Sequence, residues 1–376
     1  MALVITKKPE KQEEEKEVLL TRSGYEVSEA FHAYRTALGE SGAIAIGKAL
    51  HFGADLVCSG GIDLWTKVAW EYAIFHVGLA SPRVFVYLKK RCAELDGLAK
   101  KYPSETMYQD EEFQTRVAEI ILVLHDCPRR ASVKWPSVGV ETHAEGWIRA
   151  VKQAPDVGAV TRVWKHENDL PQMRIAACEI VKACTDGATE RALFWVRWLL
   201  EEDSITRKNN QGAGLTTLER GPATLPAKRR TDMGYYLLAV FAEVYKELAQ
   251  KQSVRMHEEF QALLDIWRGT DVVFTMKQKR EILGLIVLLL AEVPRWKVPA
   301  APALVKDPVQ MGRAVNQAHK FFAEVLAYPP VSKAAVKAGS KKKPAKKIGD
   351  SVKKQMSLEE HLAAYDQAVN SYLGLE

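Results

Sequence analysis

Cysteine is sparse in this 376-residue chain and never arranged for chemistry. The five residues Cys58, Cys92, Cys127, Cys178 and Cys184 are odd in number and contain no Cys-x-x-Cys pair. That excludes a disulfide framework and a four-cysteine zinc site, and leaves small core hydrophobes as the reading. Long apolar runs are also missing. The strongest, Ile282–Leu290, follows the cationic stretch KQKR at Lys277–Arg280 and is half of the roughly 18 to 20 residues a spanning helix needs. It reads as a buried core helix, and no membrane insertion is expected. Met1–Glu17 is charged rather than apolar, so no signal peptide is read there. An intracellular, reducing location follows as an expectation: cytoplasm or nucleus.

Phosphate-cradling glycine motifs are absent too. Neither G-x-x-x-x-G-K-[ST] nor G-x-G-x-x-G occurs, and Gly212-Ala213-Gly214 lacks a third glycine at the needed offset. None of the nine histidines forms H-E-x-x-H. His143-x-Glu145 matches half of a zinc-deaminase motif, but its P-C-x-x-C partner is missing. No G-x-S-x-G elbow is present. Catalytic residues, metal ligands and cofactors are therefore all expected to be none, and the chain is expected not to be an enzyme.

What is present is helical periodicity. Phe31, Tyr34 and Leu38 share one face, as do Ile46, Leu50 and Val57, and that second helix should stop at Gly60-Gly61. Ser41 and Ser81-Pro82 read as helix starts, and Asp110 as another. Thr189–Leu200 is apolar nearly all round and should be central. Further helices are expected at Glu145–Gln153, from Pro171, and at Met233–Gln250, Ser253–Trp267, Val272–Glu292 and Pro308–Leu326. No strand-like alternation and no fixed repeat occurs. The expected fold is all-α, a multi-helix body of one elongated or two packed lobes. Its expected parts are a charged tail 1–24, a lobe 25–127, a lobe 142–328 with an irregular basic loop at 203–231, a linker 331–356 and a short helix 357–374. The proline-bearing stretch Pro128–Thr142 is the expected seam, with the loop Asp203–Arg230 open as a second one.

Charge is local. The chain carries +6, yet residues 331–354 hold nine lysines and one acid for +8, leaving −2 on the rest. Lys341, Lys342, Lys343, Lys346 and Lys347 form the densest part. Flexible lysines of this kind neutralise phosphates without reading sequence, and a merely solvating linker fits the composition equally well. The loop adds Arg207, Lys208, Lys228, Arg229 and Arg230 as candidate nucleic-acid contacts. Aromatic residues interleave neither segment, so stacking on single strands gains no support. Beyond the linker, Ser357-x-x-Glu360 is a capping box, and Leu358, Leu362, Tyr365, Val369 and Tyr372 line one helical face. That spacing fits helix-in-groove recognition of a protein partner. A homo-oligomer stays open.

Two family resemblances can be drawn on these residues. FHAYRTAL, KALHFGADLVCSGG and KVAWEYAIFHVGLASPRVFVYL, within Phe31–Leu95, resemble the helical C-terminal, collar-like region of clamp-loader-clade ATPases. The match is best to the subgroup that interacts with RecQ-type helicases, whose helix pair ends in a turn similar to Gly78-Leu79-Ala80-Ser81-Pro82-Arg83. It covers about a sixth of the chain and lacks the ATPase half. The resemblance therefore implies an oligomerisation or collar role without nucleotide chemistry. The same stretch, with ERALFWVRWLLEEDS at Glu190–Ser204 and the basic loop after it, is similar to an uncharacterised helical protein of nucleocytoplasmic large DNA viruses. That implies a viral replication or transcription setting in a host cell. The leading expectation is a non-enzymatic scaffold or accessory factor that binds protein partners and DNA or RNA. The alternative is a structural virion or assembly protein tethered by its tail and terminal helix.

Overall fold

The computed structural model describes residues 19–251, 257–269, 274–292, 304–305 and 308–330. The fold is all-α. Among the described residues the only β pairings are two isolated bridges, Leu20 with Glu26 and Asp169 with Thr216. In chain order the helices are α1 (Val27–Gly39), α2 (Ala43–Cys58), α3 (Ile62–Tyr72), α4 (Arg83–Lys101), α5 (Ser104–Gln109), α6 (Glu111–Asp126), α7 (Trp147–Val151) and α8 (Gly158–Val163). They continue with α9 (Pro171–Thr185), α10 (Thr189–Asn209), α11 (Ala227–Arg230), α12 (Met233–Lys251), α13 (His257–Arg268), α14 (Met276–Glu292) and α15 (Pro308–Leu326).

The local signals mostly act where the sequence puts them, with instructive exceptions. Helix α2 ends at Cys58, and Gly60 follows at φ +82°, a conformation glycine takes without strain. Asp110 caps α6, its Oδ1 accepting from the Phe113 amide at 2.8 Å. Ser41 does not cap α2; Gly42 stands there instead, at φ +103°. The Ser81 hydroxyl makes no hydrogen bond either, and the start of α4 is closed by the Ser81 carbonyl accepting from Val84. After α3 the chain widens into a π turn, Ala73–Val77, before a short 3-10 turn at Gly78–Ala80. The extra residue turns His76 against the Tyr72 ring, 4.9 Å between centroids.

Two compact units result, each assembled from separated stretches of chain. One comprises residues up to Trp65, Ala99–His125 and the chain from Arg313; the other comprises Thr66–Leu98 and Asp126–Gly312. The contiguous lobes 25–127 and 142–328 expected from sequence do not have this interleaved make-up, although one crossing point, after His125, lies just before Pro128. Helical contacts are formed by whichever faces are apolar, so chain order does not decide which helices share a core.

In the first unit, α1 packs on α2. Tyr34, Leu38, Phe52, Leu56, Trp65, Phe113 and Phe322 are completely buried. Residues 19–26 are clasped onto this core by polar contacts. The amides of Arg22 and Ser23 donate to Ser59 Oγ at 2.7 Å and Asp55 Oδ1 at 2.9 Å. Arg22 also donates to the Tyr328 carbonyl and to Glu105.

Asp55 is fully buried, and burial raises its carboxyl pKa above the ordinary value, against hydrogen bonds from Thr21 and Ser23 that favour the anion. A carboxyl whose folded pKa is raised gives stability that is complete below its unfolded pKa and is lost as pH rises through the folded one. Asp55→Asn should therefore flatten the decline in stability between mild acid and neutral pH, and be at least as stable as the parent at pH 7. Urea melts across that range check this. A variant that keeps the parent's pH slope would assign the slope to another group.

In the second unit, α14 is the axis. Ile282 through Ala291 are all buried, and α9, α10, α12 and α13 pack around them. This is the apolar run that the sequence marks as a core helix, and no helix among the described residues is long and apolar enough to cross a membrane. The stretch 128–157 has little helix, with only α7 of the expected Glu145–Gln153 helix formed. Polar anchors hold it on the unit. The Val133 amide donates to Glu281, Arg197 to the Pro136 carbonyl, and Trp198 Nε1 to the Thr142 carbonyl. The amides of Gln153 and Ala154 both donate to Glu179 Oε1 at 2.6 Å.

Candidate nucleic-acid interface

The basic segment between α10 and α12 is shorter and more ordered than expected. Helix α10 continues to Asn209, so Arg207 and Lys208 sit in its last turn rather than in a loop. The longer helix has a local cause. Asp203 and Arg207 are one helical turn apart and pair at 2.7 Å, and cations are favoured at a helix C-terminus. The chain then reverses at Gln211 (φ +53°) and Gly212 (φ +99°).

Three arginines tie the segment down. Arg207 donates to the carbonyls of Gly212 and Thr231 as well as to Asp203. Arg230 makes a two-pronged contact with Glu219 at 2.7 and 3.0 Å and reaches the Leu225 carbonyl. Arg220 is the deepest. Its guanidinium grips both oxygens of Asp169, at 3.0 and 2.5 Å, and lies over the Tyr236 ring. Asp169 also accepts from Thr216 Oγ1 and from the Lys165 amide.

These pairings divide the candidate residues. The guanidinium groups of Arg207 and Arg230 are engaged within the segment. Lys208, Lys228 and Arg229 are exposed and form no ion pair among the described residues. Lys341, Lys342, Lys343, Lys346 and Lys347 lie outside the described residues, as do Leu358, Leu362, Tyr365, Val369 and Tyr372.

One further cation gives no signal in the sequence, because it belongs to the KQKR stretch before the core helix. Lys279 lies 4.5 Å from the centre of the Trp267 ring, while Lys277 and Arg280 lie over Phe75 and Trp135. Burial lowers the Lys279 pKa, the nearby Asp232 opposes that and Arg229 adds to it. Lys279 is half-buried and has no ion pair among the described residues. Only its position over an aromatic ring separates it from an ordinary helix-start lysine, and that ring is twelve residues away in sequence.

Gly234 holds the same corner together. It follows the short helix α11 by four residues and packs directly on Trp267, so that any Cβ there would run into the indole. The indole is 2% exposed and has no room to swing away. Gly234→Ala is expected to destabilise the fold by about 1–3 kcal/mol through overpacking, with a red-shifted, more exposed tryptophan emission. Unchanged thermal and denaturant midpoints would show that the α12 start can slide.

Other polar groups show no nucleophile or metal cluster among the described residues. All five cysteines are buried, and burial pushes the thiols of Cys58, Cys92 and Cys184 up to about 12, so they are protonated near neutrality. No group of three or more His, Cys, Asp or Glu that could hold a metal occurs among the described residues. His143 pairs with Glu202 at 2.6 Å rather than with Glu145, and its ring stacks on Trp198. Trp147 leans on Phe194, Trp195 and Trp198 in the same cluster, which fastens α7 to α10.

Comparison with known proteins adds no relative. No family model matches the chain, no curated protein matches it, and no solved structure matches it. The clamp-loader and viral resemblances rest on short stretches of sequence alone.

Proposed function

We propose that this protein is a non-enzymatic scaffold or accessory factor that binds nucleic acid through clustered cations and protein partners through its C-terminal segment. One observation carries the nucleic-acid half. In a segment whose arginines Arg207, Arg220 and Arg230 are turned inward onto carboxylates, Lys208, Lys228 and Arg229 stand exposed with no counter-ion among the described residues. Lysine and arginine side chains so placed are available to phosphates, and their electrostatic contribution does not depend on base sequence. The lysines of 331–354 supply a second, larger charge on the same chain. Two weak contacts on one chain raise overall affinity when both can be engaged at once. The viral replication or transcription setting is carried by the sequence resemblance.

Fluorescence anisotropy with a labelled 20-base-pair duplex tests this. The full chain should bind at 50 mM salt and weaken about a thousandfold by 200 mM, as expected if roughly six phosphates are engaged. Changing the nine lysines of 331–354 to glutamine should weaken binding and flatten that salt dependence. Absence of binding at low salt would overturn the nucleic-acid reading. For the partner half, co-purification with the full chain should disappear when Leu358, Leu362 and Tyr365 are changed to alanine; an unchanged set of co-purifying proteins would overturn it.

A further inference from the structure

Arg22 joins the two ends of the chain, whose described residues begin at Leu19 and end at Pro330. Its Nε donates to the Tyr328 carbonyl at 2.8 Å, its Nη1 pairs with Glu105 at 3.1 Å, and its side chain is 5% exposed. Both sides of that joint are fixed on the same core. Before it, residues 19–26 fold back on themselves, the Thr21 amide donating to the Tyr25 carbonyl and the Val27 amide to the Leu19 carbonyl. The Tyr25 ring meets Phe52 edge-on at 5.4 Å. On the other side, α15 ends at Leu326 with Phe322 and Val325 buried, and the Tyr328 amide donates back to the Val325 carbonyl. The chain before Leu19 and the chain after Pro330 therefore leave the first unit from neighbouring points.

The charges on those two stretches are opposite. Glu10–Glu17 holds five glutamates and two lysines, a net −3, and Lys7 and Lys8 stand farther from the joint. Residues 331–354 carry +8. A chain covers at most about 3.6 Å per residue, so Glu17 and Lys333, five residues either side of the joint, lie within about 45 Å of each other and can meet. Segments tethered this closely face each other at an effective concentration in the millimolar range. At that concentration exposed ion pairs form that are too weak to hold two separate molecules together. Phosphates and glutamates then compete for the same lysines, because an ammonium is a point charge that does not select the anion by shape.

We propose that the acidic stretch Glu10–Glu17 is the resident counter-ion of the lysine segment 331–354: it pairs with those lysines in cis, next to the Arg22 joint, and nucleic acid displaces it on binding. The proposal rests on the nucleic-acid reading above and adds its regulation. Three net charges against eight leave the segment a binder, but a weaker one. A long polyanion displaces the acidic stretch, and a short one with few charges does not.

The full chain is first treated, at low protein concentration, with a zero-length carbodiimide, which joins a carboxylate to an amine only where the two touch. Crosslinks from Glu10–Glu17 to the lysines of 331–354 are expected at about 50 mM salt and should fade by about 1 M, where the screening length falls to about 3 Å. Mixing isotopically labelled with unlabelled chain separates pairing in cis from pairing between molecules, and crosslinks of mixed label would overturn the proposal. Binding of the 20-base-pair duplex is then compared for two sets of changes in the full chain. One combines Glu13→Gln, Glu14→Gln and Glu15→Gln. The other, its control, combines Glu141→Gln, Glu145→Gln and Glu167→Gln, three exposed acids of the second unit. Both sets change the net charge equally, and circular dichroism checks that both fold as the parent does. The first set should tighten binding about three- to tenfold at low salt, as three exposed ion pairs would supply, and lose that gain at high salt. The control should leave affinity within about twofold, its acids lying beyond the reach of the lysines' field. Equal effects of the two sets, or crosslinks from 331–354 mainly to other carboxylates, would overturn the pairing and leave the lysine segment standing as a binder. Failure of the parent to bind the duplex at low salt would instead overturn the nucleic-acid reading, and the competition with it.

Discussion

Arg220→Ala is expected to destabilise the second unit by about 3–5 kcal/mol, the range for breaking a buried ion pair by removing one partner. Asp169 is the reason. Its side chain is completely buried, and Arg220 supplies both of its charged hydrogen bonds. Without the guanidinium, a carboxylate remains in a low-dielectric site with only Thr216 Oγ1 and the Lys165 amide to satisfy it. The fold must then either keep an unpaired charge or take up a proton, and both raise its free energy. The cation–π stacking on Tyr236 disappears in the same step. Urea denaturation measures the destabilisation directly. The double change Asp169→Asn with Arg220→Met separates the pair from the charge left behind, because replacing a whole buried pair by groups of similar volume is often near neutral. If Arg220→Ala falls within about 0.5 kcal/mol of the parent, as exposed substitutions do, the pair is not a buried anchor. The same variant should free the segment 211–226 to proteolysis, since Asp169 and Arg220 tie it to the start of α9.

Glu179→Ala is expected to be of similar severity, about 3–5 kcal/mol, with a different local consequence. The side chain is 0% exposed in the middle of α9. One oxygen accepts from the amides of Gln153 and Ala154, and the other accepts from Arg191 on α10. Removing it leaves the Gln153 and buried Ala154 N–H groups and the part-exposed Arg191 guanidinium without their acceptor, and hydrogen bonds to a charged group are worth about 1.5–3 kcal/mol each. The Asp156–Arg174 pair holds the far end of the segment 152–157, so hydrogen exchange at the Gln153 and Ala154 amides themselves should rise by more than the global destabilisation explains. Glu179→Gln keeps an acceptor and the volume and should recover part of the stability. Equal protection of the Gln153 and Ala154 amides in Glu179→Ala and the parent would show that this carboxylate is not their anchor.

Both anchors show why the candidate interface is only partly legible in the sequence. Lys208, Lys228 and Arg229 are visible as charges in any reading of it. That Arg207 and Arg230 turn their guanidinium groups inward is not visible, because their acceptors are a helical neighbour, a loop acid and carbonyls whose positions depend on the chain reversal at Gln211-Gly212. Arg220 and Asp169 are 51 residues apart, and no local pattern marks either as the other's partner. Lys279 is the flank of a core helix in the sequence, and its place over the Trp267 ring is decided only by the fold.

What the sequence determined by itself was the class of fold and most of its helices. The 3.6-residue repeat of apolar side chains is a local property, and the boundaries at Asp110, Pro171 and Pro308 follow from capping and proline rules that act within one turn. The burial of the run Ile282–Leu290 and of all five cysteines was legible for the same reason: such side chains leave water wherever the chain lets them. Tertiary structure alone decided which helices share a core, how separated stretches combine into two units, and which charges are neutralised inside the fold. Those outcomes depend on contacts between residues far apart in the chain, as the buried pair of Asp169 and Arg220 is.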